Sequence, residues 1–130
     1  MTDAEHTARG ILAELQDAVA AKDHDRLARL MADDVVLFGT AAANLDRDQT
    51  LAYLARVLAQ EGTIRWEWDC VAPLVTAPDL LAFAAVGTVG LDDADGRAEG
   101  ARDTIRLSCV AVEENGRWRL RHFHGSVPEQ

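Results

Sequence analysis

The sequence predicts an α+β domain in which three N-terminal helices pack on one face of an antiparallel sheet. Apolar residues recur at spacings of three and four as far as Gly62, and at every second position from Thr63 onward. Turn signals then divide the second half into four long strands. Helices that precede such a meander must cover one face of it, because an antiparallel sheet needs only one buried side.

The elements follow in order. Ala8, Ile11, Leu12, Leu15 and Val19 form one stripe, which predicts a first helix over Asp3 to Ala21, with Gly10 as a weak point. Asp23 or Asp25 can cap a second, shorter helix carrying Leu27, Leu30 and Met31. Asp33-Asp34 is expected to end it, and Val35 to Phe38 to form a buried strand closed by Gly39. Asp46 with Gln49 reads as a capping box for a third helix whose stripe is Leu51, Leu54, Val57 and Leu58. Gly62 is expected to take the left-handed position after it.

In the sheet, Ile64, Trp66, Trp68 and Cys70 alternate with Arg65, Glu67 and Asp69, giving one apolar and one charged face. Pro73 is expected to interrupt this strand, and Ala77-Pro78-Asp79 to turn the chain. Leu80 to Leu91 is an apolar strand with Gly87 and Gly90 as bulge or bend positions. Asp92 to Gly96 reads as a hairpin tip, Ala98 to Val112 as a strand, and Asn115-Gly116 as a tight hairpin leading to a last strand over Arg117 to Val127.

Composition narrows the function classes. The chain has 130 residues, the size of one domain spanning residues 1–130. A net charge of −9, from 13 basic and 22 acidic residues, offers no footprint for a phosphate backbone or an anionic membrane surface. Neither a membrane-length apolar run nor a signal-peptide pattern is present at Met1 to Glu5, so a cytoplasmic protein is expected. Cys70 and Cys109 lack metal-site or redox spacing and read as buried free thiols. No cofactor and no metal are expected, because no third ligand joins the two histidines of the last strand.

The closing segment Gly116-Arg117-Trp118-Arg119-Leu120-Arg121-His122-Phe123-His124-Gly125-Ser126-Val127-Pro128 is the most specific part of the chain. Together with the helical pair running into Ala32-Asp33-Asp34-Val35, it resembles the SnoaL-like branch of the nuclear transport factor 2-like superfamily. The last strand also resembles the association domain of calcium/calmodulin-dependent kinase II. The resemblance implies a cystatin-like cone, a strongly curved sheet wrapped around its helices, with a pocket inside and a homodimeric assembly. It implies no single reaction, because a fold of this breadth hosts many chemistries.

A two-residue turn at Asn115-Gly116 puts Glu114 opposite Arg117, His122 opposite Cys109 and His124 opposite Leu107. Trp118, Leu120, His122 and His124 then share the inner face. The expected pocket lining is Phe38, Tyr53, Trp66, Trp68, Cys109, Trp118, His122 and His124. His122, His124 and Tyr53 are the candidates for acid–base work, since imidazole titrates near neutrality and phenol donates hydrogen bonds. No Asp or Glu is placed on the inner face, and Arg102 and Arg106 fall outside.

The function expected is the binding of a small, mostly apolar ligand. The alternatives are an enzyme of the ketosteroid isomerase, polyketide cyclase or hydrolase type using a pocket histidine, and a hub-like oligomerisation module. Phe123, Val110 and Arg121 on the outer face are expected to form the homodimer contact, as an apolar patch rimmed by arginines.

Overall fold

The computed structural model describes residues 1–128. Three helices, α1 (Asp3–Ala20), α2 (His24–Leu30) and α3 (Arg47–Ala59), pack on a six-stranded sheet formed by β1 (Met31–Phe38), β2 (Ala43–Asn44), β3 (Thr63–Ala77), β4 (Leu80–Asp92), β5 (Ala98–Glu114) and β6 (Arg117–Ser126). The strand order is β2-β1-β6-β5-β4-β3. β1 runs parallel to β6, and every other pairing is antiparallel.

The helix starts follow the capping chemistry of their sequences. Thr2, Asp23 and Asp46 each accept a hydrogen bond from the backbone N–H three residues on. The Gln49 side chain reaches back to the N–H of Leu45, which closes the entry to α3 at 2.9 Å. The exit of α3 departs from expectation. Gly62 does not adopt a positive φ; the left-handed residue is Lys22, between α1 and α2. Its Nζ donates to the carbonyls of Leu58, Gln60 and Gly62 at 2.7–3.2 Å, so a lysine satisfies the end of α3 that a glycine was expected to close.

Asp33 and Asp34 do not end α2. The helix stops at Leu30 and both aspartates lie within β1, exposed, where they reach Arg119 and Arg121 of β6 at 3.7 and 2.9 Å. Pro73 does not interrupt β3, which runs on to Ala77 with a register shift that turns Leu74 out to 66% exposure. β3 is an edge strand, so the missing proline N–H costs no ladder bond. That edge is covered by α1: Gln16 accepts from the N–H of Trp66 and donates to the carbonyl of Ile64, and Arg9 donates to the carbonyl of Trp68.

Asn115 and Gly116 both have positive φ, the geometry of the tightest hairpin turn, and Glu114 pairs with Arg117 as the sequence implies. The ladder then slips by one residue. Ala111 lies opposite Leu120, but Val110 lies opposite His122, so Arg121 is bulged out of β6. Every residue beyond it changes face. Leu120, Phe123 and Gly125 are buried, while His122 is half-buried and His124 exposed.

The core lies between the helices and the inner face of the sheet. Leu12, Leu15 and Val19 of α1 and Leu27 of α2 meet Val35, Phe83, Leu107, Cys109, Leu120 and Phe123 there. Phe123, placed by sequence on the outer face, is 6% exposed within this core.

Candidate functional site

The core does not fill the space it encloses. A cavity of about 250 Å³ remains between α1, α3 and the inner face of the sheet. Leu15 and Val19 form its helical floor, Tyr53, Leu54 and Val57 of α3 one side, and Trp66, Val89, Ile105 and Phe123 the sheet wall. The Trp66 and Phe123 rings meet edge to face, with centroids 6.5 Å apart. Gly39 and Gly125 also line it. A Cβ on Gly39 would lie 2.6 Å from the Tyr53 hydroxyl, so the glycine is what lets the phenol stand at the cavity wall.

Among the described residues the lining is apolar apart from Thr40, Tyr53 and Asp103. Asp103 is exposed and forms part of the rim. Among the described residues it makes no ion pair. Its position follows from β5 parity: Ile105, Leu107, Cys109 and Ala111 all face inward, and Asp103 continues that series. The expectation that no Asp or Glu lies on the inner face is corrected here. The signal was already present in the two-residue period.

Of the expected lining, Tyr53 and Trp66 are in the cavity wall. Trp68 faces inward but packs beneath α1, beside Leu12, Ala13 and Gln16. Trp118 borders a separate recess by α1 and α2 and does not line the cavity. Cys109 is 2% exposed in the core, and burial pushes its thiol far above the ordinary range, so it stays protonated and unreactive. Cys70, expected to be buried, is exposed on the edge strand.

Phe38, His122 and His124 are brought together, but on the opposite side of the sheet. The Phe38 ring stands edge-on to both imidazoles at 5.4 Å, and the two imidazoles are 6.3 Å apart. His122 Nδ1 donates to the carbonyl of Val36 at 2.8 Å. The bulge at Arg121 is the physical reason: it reverses the alternation that would have turned both histidines inward. Neither histidine lines the cavity, so acid–base chemistry there has Tyr53 and Asp103 as its titratable groups.

A second charged cluster escaped the sequence reading. Asp92, expected at a solvated hairpin tip, is 5% exposed beneath Arg65 and Arg102. Arg65 Nε lies 3.0 Å from Oδ2, and Arg102 Nη2 donates to Oδ1. The hydrogen bond from Arg102, and then that from Arg65, hold the Asp92 carboxyl below the usual carboxylate range. Arg102 folds over Gly90, where any Cβ would collide with its guanidinium. The tip proper is Asp93, whose carboxylate accepts from the N–H groups of Asp95 and Arg97.

The SnoaL-like domain family matches residues 9–130. No curated protein matches the sequence. The chain is similar to a proposed dehydratase of the nuclear transport factor 2-like family from Streptomyces avermitilis, at 16% identity and a TM-score of 0.81, covering 99% of this chain and 100% of that one. It is similar to a proposed calcium/calmodulin dependent protein kinase II association domain from Xanthomonas campestris, at 21% identity and a TM-score of 0.79, covering 95% and 87%. A cystatin-like protein from Caulobacter vibrioides gives 18% identity and a TM-score of 0.74, covering 98% and 92%. At these identities the likeness is one of fold.

Proposed function

The chain belongs to the SnoaL-like domain family, and on that footing we propose that it binds a small, mostly apolar molecule in the cavity between its helices and sheet. The observation that carries this reading is the cavity itself. Well-packed interiors leave few voids larger than a water molecule, and this one holds about 250 Å³ behind aromatic and aliphatic walls with three polar side chains. Such a combination of apolar lining and a few placed polar groups is what small-molecule sites share.

Val89→Trp tests it. The larger side chain projects from β4 into the cavity, and the variant is expected to melt cooperatively while losing the thermal stabilisation that a bound aromatic compound gives the wild type. Undiminished stabilisation of the variant would place the ligand elsewhere.

Acid–base catalysis is the second reading, favoured by one observation: a carboxylate and a phenol, Asp103 and Tyr53, border the same apolar space. The S. avermitilis relative is described as a proposed dehydratase. Recovery of the bound compound chemically unchanged after prolonged incubation favours the binder over the enzyme.

The assembly we propose is a homodimer through the outer face of the sheet. All three helices pack on the other face, leaving Phe38, Val86, Val110, His122 and His124 uncovered. Arg119 and Arg121 lie beside Asp33 and Asp34 on this part of the sheet, so a two-fold partner meets both signs of charge. A hub-like module is the same surface used more extensively.

A further inference from the structure

Resting on the reading of the cavity as a ligand site, we infer that its ligand carries a cationic, amine-type group on an apolar body and is not a carboxylate. Among the described residues the cavity lining has one charged residue, Asp103, and no lysine, arginine or histidine. Asp103 has no ion-pair partner among the described residues. The adjacent Arg102 pairs with Asp92 through Nη2 and buries its unpartnered Nη1 over Gly90, and neither Arg102 nor the exposed Arg106 is in the lining. The carboxylate at the rim is therefore free to pair with a ligand.

An anionic ligand would be desolvated beside that carboxylate with no cation to receive it, which selects against acids. A protonated amine gains the ion pair and also meets the rings of Tyr53, Trp66 and Phe123, whose faces attract cations. Size follows from the cavity. A cavity of about 150 Å³ holds benzene, so 250 Å³ suits a body of about ten heavy atoms, such as a phenylpropyl group.

Three matched compounds test this: 3-phenylpropylamine, 3-phenylpropan-1-ol and 3-phenylpropanoate, titrated at pH 7.5 in 150 mM salt against Trp fluorescence and thermal shift. The amine is expected to bind about threefold more tightly than the alcohol, as an exposed ion pair at the rim allows, with the acid weakest. Asp103→Asn should bring amine and alcohol to equal affinity and leave the alcohol unchanged. Asp95→Asn, at the exposed hairpin tip, carries the same change in net charge and should retain the preference. Equal loss in both variants, or persistence in both, would assign the preference to the overall charge of −9 and overturn the inference. An acid that binds as well as the amine overturns it directly, while alcohol binding still upholds the cavity as a site. If none of the three binds, the cavity reading fails and this inference with it.

Discussion

Gly87 sits opposite Trp68 where Asp69 is squeezed out of the β3–β4 ladder, and a Cβ there would collide with the carbonyl oxygen of Glu67. The contact is with backbone, so it can be relieved only by moving a strand. Gly87→Ala should therefore destabilise by about 3 kcal/mol, as overpacked interiors do. Gly10, on the exposed side of α1, has nothing within 4 Å, and Gly10→Ala should stabilise by about 1 kcal/mol through helix propensity alone. Urea unfolding of the two variants checks both signs, and a neutral Gly87→Ala would mean that β3 does not approach so closely.

Asp92 makes a further prediction at this scale. Its carboxyl is depressed in the folded state, so its contribution is present above the unfolded carboxylate range and lost as pH falls through the folded value. Asp92→Asn should be less stable than wild type at pH 7, with the gap closing as pH drops below about 4. A gap that held constant in urea titrations down to acid pH would assign the role of Asp92 to packing.

At the scale of elements, what was legible depended on whether a pattern stayed in step. The helices, the N-terminal caps of α2 and α3 and the Asn115-Gly116 turn could be read because each is set by residues within four positions of one another. Tyr53 and Trp66 could be placed in the cavity wall on the same local grounds. His122 and His124 could not, because the bulge at Arg121, one and three residues upstream, decides their face, and a bulge is settled by packing across the sheet. The clue was energetic. Regular alternation buries two imidazoles and exposes Phe123, whereas one bulged Arg121 buries Leu120 and Phe123 together. Weighing the two registers by apolar area would have chosen the second. Asp92 was illegible for a different reason: its partners are 27 and 10 residues away, on separate strands.

For the whole molecule, the burial of Phe123 removes it from the proposed dimer contact. Phe123 is a core residue, so changing it would test folding and leave assembly unprobed. Val110 lies opposite His122 on the uncovered face and is the position to alter. Val110→Asp should give a folded monomer in light scattering at low micromolar concentration, where the proposed assembly makes the wild type a dimer. A variant that stays dimeric would place the interface on another surface. The described residues include no helix long and apolar enough to cross a membrane.

The displaced Arg121 has a consequence for how such a domain can change. A bulge is a parity switch: the stretch from His122 to Ser126 can present Phe123 and Gly125 to the interior, or His122, His124 and Ser126, according to whether one upstream residue is paired or extruded. Gaining or losing a single codon near that point would exchange the chemistry of one wall from hydrocarbon to imidazole in one step, with every downstream side chain retained. Descent by insertion and deletion could thus move a protein of this kind between holding a molecule and transforming it without any substitution in the wall itself.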